Sequence, residues 1–259
     1  MRTAKAPRRQ FLRHNPFPRP FTEGFFFREK MRAIHRVTPN ASVSRVLEIG
    51  GGRGGVTALL FPGAQVVNVD IDRRYAHDAP NRQETVRFVC ADAAALPFER
   101  GGFDAVTMFD VLEHVPDDRA AVQQALSVLR PGGWLLLSSP NERWRFPYYR
   151  VMRRWCPTDA EIMRQWGHAR RGYTVDELEG LLGVPCRASA TFISPLSVLC
   201  HDAAFSRLAP SRRRYACLAL APLAWIGYAV HRPSSPGTET ASAWQPCLST
   251  DRKSRSSCQ

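Results

Sequence analysis

The feature that most constrains the fold is a glycine-rich turn between two short apolar segments. Residues 46–49 are apolar apart from one glutamate, the turn reads Glu48-Ile49-Gly50-Gly51-Gly52-Arg53-Gly54-Gly55, and a second apolar segment begins at Val56. Glycines let a backbone turn sharply, and they let a ligand approach main-chain atoms that a Cβ would cover. The order strand, glycine turn, helix therefore predicts a ligand-binding loop at the end of a buried strand.

Short apolar runs alternate with helical segments after this turn. The runs interpreted as strands are Val46–Ile49, Val66–Val69, Val86–Cys90, Phe103–Phe109 and Trp134–Ser138, with helical segments at Val56–Leu60 and Ala120–Leu129. This alternation predicts a parallel sheet covered by helices. Cys186–Ile193 and Thr238–Trp244 predict a sixth and a seventh strand.

The glycine turn by itself leaves the ligand open. Gly50, Gly52 and Gly55 satisfy the G-x-G-x-x-G pattern of dinucleotide-binding proteins. The second strand ends at Asp70, about 20 residues further on, where a carboxylate can accept hydrogen bonds from both hydroxyls of a ribose. Adenosylmethionine also contains a ribose, so an NAD-dependent dehydrogenase and an adenosylmethionine-binding protein both fit. A merely flexible turn is the third interpretation.

Four further motifs follow in order and narrow the choice. They are Cys90–Phe98, Phe103–Val115 with Asp110 and Glu113-His114, Leu129–Asn141 with Pro131-Gly132-Gly133, and Gly167–Thr174. With the glycine loop, they make residues 40–183 resemble class I S-adenosylmethionine-dependent methyltransferases. Glu113-His114 and Gly167–Thr174 resemble the branch that contains ubiquinone-type O-methyltransferases. The resemblance implies a doubly wound, mostly parallel, seven-stranded Rossmann-like α/β sheet that closes with an antiparallel hairpin.

The resemblance also implies which residues contact S-adenosylmethionine. They are Glu48, Gly50, Gly52 and Gly54 for the methionine part, Asp70 for the ribose, Ile71, Asp92 and Ala93 for the adenine, and the main chain at Phe109 with the Asp110 region for the closure of the methionine end. The chain departs from the family pattern at Gly51, where a less flexible residue is usual.

His114 is the candidate general base. Transfer of a methyl group to a hydroxyl requires removal of a proton, and an imidazole has an intrinsic pKa suited to this task near neutral pH. The structural interpretation is that His114 only packs or caps the loop before Pro116.

A divalent metal site is a second interpretation of the same region. Asp110, Glu113, His114 and His168 offer mixed carboxylate and imidazole ligands of the kind that magnesium or manganese can use. A metal would lower the pKa of an acceptor hydroxyl. Alternatively, Asp110 serves the cofactor and His168 only orients Arg170 or its loop.

The chain is divided by composition. Residues 1–21 contain several prolines and arginines and predict a basic, mobile arm. Residues 22–247 form the predicted methyltransferase domain, with a core at 40–193 and a lid or docking helix that begins near Thr22 and includes Phe25–Phe27, Met31 and Ile34. Residues 248–259 are polar and serine-rich and predict a disordered tail.

Residues 195–236 are predicted to be an insertion before the last strand, which covers 238–244. Tyr215–Val230 is apolar, contains Pro222 and follows Arg212-Arg213-Arg214. The stretch is too short and too broken to span a bilayer. It fits a pair of helical pieces at an anionic membrane surface, with Trp225 near the interface, and it equally fits a buried cap over the site.

Charge and cysteine content limit the function classes. Lysine and arginine outnumber acids 36 to 23, with the excess in the flanks, but no basic–aromatic patch indicates nucleic acid as a partner. The seven cysteines show no C-x-x-C spacing, which favours a reducing cytoplasm, with peripheral attachment to the inner face of a membrane as a further possibility. We expect O-methylation of a small or lipid-like hydroxylated acceptor; a noncatalytic adenosylmethionine-binding or membrane scaffold protein is the alternative.

Overall fold

A computed structural model describes residues 2–13, 24–232, 234 and 237–246, and within them the chain forms a seven-stranded sheet. The strands are β1 Arg45–Ile49, β2 Gln65–Asp70, β3 Val86–Cys90, β4 Phe103–Phe109, β5 Leu129–Pro140, β6 Ala188–Phe192 and β7 Glu239–Trp244. Their order across the sheet is β3-β2-β1-β4-β5-β7-β6. The predicted fold class is confirmed.

The topology creates a crevice beside β1. Strands β1 to β5 are parallel, and β7 lies antiparallel between β5 and β6. The strand order reverses between β1 and β4, because β2 and β3 continue to one side and β5 continues to the other. Loops on either side of such a reversal diverge, which leaves a ligand crevice at the carboxyl ends of the strands.

Eight α-helices cover the two faces of the sheet in the described part of the chain. They are α1 Arg8–Arg13, α2 Gly24–Val37, α3 Val56–Leu60, α4 Asp118–Val128, α5 Asp159–Trp166, α6 Val175–Leu182, α7 Ser197–Ala204 and α8 Pro210–Val230. Thr158 and Thr174 begin α5 and α6 with reciprocal capping boxes, each closed by a glutamate three residues later.

Alternate strand residues divide the core into two layers. Val46 and Leu136 point to the layer of α1, α2, α3, α7 and α8. Leu47 and Leu135 point to the opposite layer, which contains α4 and α6. This period of two follows from the pleat of the strands. A small separate cluster, centred on Phe146 and Ile162, lies beside the carboxyl ends of the sheet.

The prediction of a mobile arm is wrong for residues 2–13. Phe11 of α1 is 1% exposed and Leu12 is buried. Thr3 pairs with Val43, and the backbone amide of Ala6 donates to the carbonyl of Leu60. The burial of Phe11 and Leu12 thus fixes this segment against the domain despite the arginines around them. The rest of the predicted arm, residues 14–21, and the predicted helix start at residues 22 and 23 lie outside the described residues.

The insertion before β7 forms two helices, α7 and α8. The stretch expected as a pair of helical pieces is one helix, Pro210–Val230, with Pro222 inside it. Gly227 allows α8 to approach closely to Ser197 of α7. The other side of α8 is exposed, so neither a fully buried cap nor two separate pieces describes it. Within the described residues, no helix is both long and apolar enough to cross a membrane. The predicted tail, residues 248–259, is outside the described part.

Candidate functional site

Two cavities meet at the carboxyl edge of the sheet. The first, which we call the loop chamber, has a volume of about 510 Å³ and is lined by Gly50, Gly52, Asp70, Ile71, Asp72, Tyr75, Asp92, Ala93, Asp110, Val111, His114, Val115 and Pro116. The second, the aromatic chamber, has a volume of about 310 Å³ and is lined by Phe27, Lys30, Asp110, Glu113, His114, Pro140, Trp166, His168, Phe192, Ile193, His201, Phe205 and Glu239. Asp110 and His114 belong to both walls. Asp110 and His114 thus lie beside a ligand in either chamber.

The glycine loop is held rigid by two asparagines. The side-chain amides of Asn68 and Asn81 both donate to the carbonyl oxygen of Gly52, at 3.2 and 2.9 Å. Asn68 also donates to Asn81 at 2.7 Å. Gly51 lies against Asn68 so closely that a Cβ there would collide with its amide. The departure from the family pattern at Gly51 therefore makes room for the side chain that fixes the loop.

The floor of the loop chamber fits a nucleoside. Asp70 accepts from the amides of Gly52 and Asp72, each at 2.9 Å and each at a different carboxylate oxygen. Each oxygen keeps a second lone pair for a ribose hydroxyl. Ile71 is 72% exposed although it is a large apolar side chain, and an adenine ring in the chamber would cover it. Asp92 accepts from the amide of Ala94 at 2.8 Å and lines the same wall.

Gly52 leaves this space open. Its φ angle is +53°, and a Cβ at this position would meet only Tyr75 and Asp70, both at more than 3.5 Å. The added atom would point into the chamber rather than into packed protein. A glycine is required at this position both by the backbone conformation and by the close approach of a ligand.

Three residues predicted to contact the cofactor do not line the loop chamber. Glu48 is buried, and its carboxylate accepts from the hydroxyl of Thr57 at 2.7 Å. Burial raises the pKa of Glu48 to about 7. Gly54 faces Asn81, and Phe109 packs against the core layer of α2. The Glu48 carboxylate thus has a supporting position beside Thr57. The contact predicted for Phe109 is through its main chain at the end of β4, and it remains a prediction.

Asp110 is held in a left-handed conformation at the end of β4, with φ +54°. Aspartate tolerates this region better than most residues. One carboxylate oxygen accepts from the hydroxyl of Ser138 at 2.6 Å, and the other binds the ammonium of Lys30. The amide of Asp110 donates to the carbonyl of Ser138 at 2.9 Å. Asp110 therefore connects β4, β5 and α2 at the junction of the two chambers.

His114 is oriented by a single backbone contact. Its Nδ1 atom lies 3.2 Å from the carbonyl oxygen of Gly167. A carbonyl only accepts hydrogen bonds, so this contact requires the proton on Nδ1 and leaves the lone pair on Nε2. The ring is exposed and its centroid lies 4.6 Å from that of His168. The geometry is suited to a base that takes a proton at Nε2.

Glu113, His114 and His168 form a cluster that could hold a cation. One ligand atom of each lies within 4.8 Å of the others. Glu113 is 1% exposed, and its Oε2 atom has no hydrogen-bond partner in the structure. Burial and the neighbouring His114 lower the pKa of His168 to about 4, which keeps this imidazole neutral and able to ligate. Asp110 is not a member of this cluster, and its carboxylate oxygens contact Lys30 and Ser138.

Aromatic side chains from distant parts of the chain build the aromatic chamber. Trp166 stacks nearly parallel to Trp144 at 6.2 Å and meets Phe205 edge-on at 5.2 Å. Lys30 and Glu239 add charge-bearing groups to the same wall. Sequence reasoning did not identify these residues as part of a site, because no short motif connects α2, α5, α7 and β7.

A doubly wound sheet with a glycine loop and a chamber at the carboxyl ends of its strands is the arrangement of enzymes that bind a nucleoside-containing cofactor. The family model described as "Methyltransferase domain" matches residues 22–182. This chain belongs to that family.

Two relatives match part of the chain. A probable S-adenosylmethionine-dependent methyltransferase of Mycobacterium tuberculosis is 32% identical over 120 residues, which are 46% of this chain and 44% of that protein. A ubiquinone biosynthesis O-methyltransferase of Coxiella burnetii is 28% identical over 138 residues, which are 48% of this chain and 59% of that protein. The match thus spans about half the length of these relatives.

Solved structures share the fold over most of the chain. The N-methyltransferase NodS from Bradyrhizobium japonicum, in complex with S-adenosyl-L-homocysteine, has a TM-score of 0.54 at 17% identity, covering 92% of this chain and 94% of its own. The [4+2]-cyclase SpnF has a TM-score of 0.54 at 16% identity, covering 85% and 81%. At these identities the likeness establishes the fold alone.

Proposed function

We propose that this protein transfers a methyl group from S-adenosylmethionine to the oxygen of a small or lipid-like hydroxylated acceptor. The observation that carries the proposal is that Asp110 and His114 line both chambers, so that they lie beside a cofactor in one and an acceptor in the other. When bound, S-adenosylmethionine supplies a methyl group that is activated by a positively charged sulfur. After transfer, this sulfur is part of a neutral thioether. Family membership and the name of the Mycobacterium relative support the cofactor.

Residues of the chain bind and orient the cofactor and the acceptor, and one of them removes a proton. Asp70 binds the ribose hydroxyls, Ile71 covers one face of the adenine, and Asp92 accepts from its amino group. The acceptor lies in the aromatic chamber with its hydroxyl toward His114. Nε2 of His114 takes the hydroxyl proton as the bond from oxygen to the methyl carbon forms. Holding the two reactants in this geometry can contribute about 7 to 11 kcal/mol in the best intramolecular cases.

The acceptor experiment separates this function from its rivals. Purified protein is incubated with S-adenosylmethionine and a metabolite extract, and mass spectrometry is used to find compounds that gain one methyl group while adenosylhomocysteine is formed. Binding of the cofactor without any methylated product would favour a noncatalytic adenosylmethionine-binding protein. Stabilisation by NAD and not by adenosylmethionine in a thermal-shift measurement would favour the dehydrogenase interpretation.

A divalent metal is the alternative to His114 as the general base, because the Nε2 lone pair that would bind a metal is the one that would take the proton. The support is the unpaired oxygen of buried Glu113 beside the rings of His114 and His168. A metal there would act as a Lewis acid on the acceptor hydroxyl. If the metal takes this role, we expect EDTA to abolish turnover and added magnesium or manganese to restore it, with cofactor affinity unchanged. Turnover that is indifferent to EDTA would remove the metal from the proposal.

We also propose that α8 brings the site to an anionic lipid surface. Its outward face is apolar for about 24 Å, from the rise of an α-helix, and includes exposed Tyr215, Trp225, Ile226 and Val230. Arg212 and Arg214 are exposed at the amino end of this face, whereas Arg213 is half-buried and donates to the carbonyl of Ala204 at 3.3 Å. An arginine near an anionic leaflet contributes about 1 kcal/mol, and salt screens the attraction.

Cosedimentation with vesicles tests this surface. The protein is expected to sediment with phosphatidylserine-containing vesicles at low salt and less well at high salt or with phosphatidylcholine alone. Changing Arg212, Arg213 and Arg214 to glutamine should weaken this binding and leave cofactor affinity intact. The matched control changes three exposed arginines that are not on α8: Arg73, Arg82 and Arg87. Equal losses in both triple variants, or no sedimentation of the parent protein at low salt, would contradict a lipid-binding role for α8.

A further inference from the structure

Lys30 brings a positive charge from α2 into the acceptor side of the site. Its side chain is 11% exposed, and it lines the aromatic chamber together with Phe27 of the same helix. In the described part of the chain, its hydrogen-bond partner is the carboxylate of Asp110. Asp110 lies where the two chambers meet, so the ammonium of Lys30 lies beside the point at which a methyl acceptor would face the cofactor.

The groups around Lys30 keep it protonated. Burial by itself would lower its pKa, but Asp110 after β4, Glu239 of β7 and Glu113 before His114 outweigh this effect and raise it. Burial, followed by Asp110, raises the pKa of Glu239 to about 8. Near neutral pH the chamber therefore contains the ion pair of Lys30 and Asp110 beside the carboxyl group of Glu239, which favours its neutral form.

A purely structural ion pair explains this arrangement poorly. Removing a lysine and an aspartate from water costs several kcal/mol per ion, and apolar residues of similar size often replace such pairs without loss of stability. Lys30 and Asp110 also line a cavity instead of packed core. An ammonium has three N–H donors, and Asp110 takes one of them. The remaining donors are available to a ligand in the aromatic chamber.

We propose that Lys30 is a catalytic residue whose ammonium stabilises the negative charge that develops on the acceptor oxygen as His114 removes its proton. The inference rests on the proposed transfer to oxygen. An opposite charge within about 4 to 6 Å lowers the pKa of an acidic group by about 1 to 3. Lys30 therefore makes the acceptor hydroxyl easier to ionise, while Asp110 holds the lysine in place from the cofactor side.

A chromophoric hydroxyl reports this effect without any methyl transfer. 4-Nitrophenol is bound to the protein in the presence of adenosylhomocysteine, and its ionisation is followed by absorbance as a function of pH. We expect the pKa of the bound reporter to lie below that of the free compound by about 1 to 3. Lys30→Met should abolish this difference, and Lys30→Arg, which retains the charge, should preserve most of it.

A second variant separates loss of the charge from loss of the fold. Lys30→Met leaves Asp110 without a counterion, so a double variant, Lys30→Met with Asp110→Asn, removes the whole pair and keeps the site neutral. In this double variant, the pKa of the bound reporter should equal that of the free compound. Its circular dichroism spectrum should match that of the parent protein. A lowered reporter pKa in a folded variant without Lys30, or no binding of the reporter by the parent protein, would overturn the inference. A Lys30-dependent reporter pKa in a protein that methylates nothing in the extract would instead overturn only the proposed function.

Discussion

The loop chamber and the aromatic chamber share a wall but are encoded in different ways. Apart from its glycines, the loop chamber is built from residues that directly follow β2, β3 and β4, between Asp70 and Pro116. The aromatic chamber takes residues from Phe27 to Glu239, which lie at opposite ends of the chain. Local motifs specify the first, and only tertiary packing assembles the second. The comparison teaches that the cofactor can be predicted from this sequence and the acceptor cannot.

The largest expected effect is the loss of cofactor binding in Gly52→Val. Gly52 has a positive φ and faces the open loop chamber. A valine would be strained in this backbone region, and its branched side chain would occupy the space of the ligand. We expect no measurable binding of S-adenosylmethionine by calorimetry, in a protein that is still folded.

Gly63→Val is the matched control for this substitution. Gly63 also has a positive φ, +85°, but a Cβ there would meet nothing within 4 Å. The control should lose stability from backbone strain and bind the cofactor normally. Normal affinity in Gly52→Val, or equal loss in both variants, would remove the distinction between a loop that binds a ligand and a loop that merely turns.

His114→Gln tests the wall that the two chambers share. If Nε2 of His114 removes the acceptor proton, the rate should fall about 10²- to 10⁴-fold, the usual contribution of a general base. Cofactor affinity should change little, because the variant keeps the space of the side chain. Single-turnover rates with the acceptor found in the extract provide the measurement. A rate equal to that of the parent protein would return His114 to a packing role beside Gly167.

The strand pattern predicted the sheet, and the family resemblance implied most of the residues that line the loop chamber. Strands and their terminal residues are adjacent in the chain, so spacing fixes which side chains reach the carboxyl edge. Asn68 and Asn81 show where this reasoning ends, because the first resembles an ordinary strand residue and the second a turn residue. Their joint contact with Gly52 exists only after β2 and the following turn are in place. The role of Lys30 was harder still to predict from the sequence, since nothing in α2 indicates that this lysine contacts Asp110.

Asp70→Ala should weaken cofactor binding by about 1 to 3 kcal/mol, because a ribose would lose a charged acceptor. The carboxylate also holds the amides of Gly52 and Asp72, so part of this loss would come from a looser loop. Asp70→Asn keeps one acceptor oxygen and should lie between the alanine variant and the parent protein. Calorimetric affinities that are equal in all three proteins would contradict the ribose assignment. The ligand of the loop chamber would then be as unpredictable from the sequence as the ligand of the aromatic chamber.

The smallest effect on binding is expected for Glu48→Gln, which separates support from contact within the glycine loop itself. Glu48 has an ordinary pKa of 4.5 that rises to about 7 in the folded protein because of burial. The folded state thus retains a proton that the unfolded state releases, so this contribution to stability is full below about pH 4.5 and is lost as the pH rises through 7. A difference of 1 between the folded and unfolded pKa values corresponds to about 1.4 kcal/mol. Urea unfolding should show that the free energy of unfolding decreases less from pH 5 to pH 8 in Glu48→Gln than in the parent protein. Glutamine can still accept from Thr57, so cofactor affinity should be retained. Weakened cofactor binding with the same pH dependence as the parent would instead assign Glu48 to the ligand, as the family resemblance first implied.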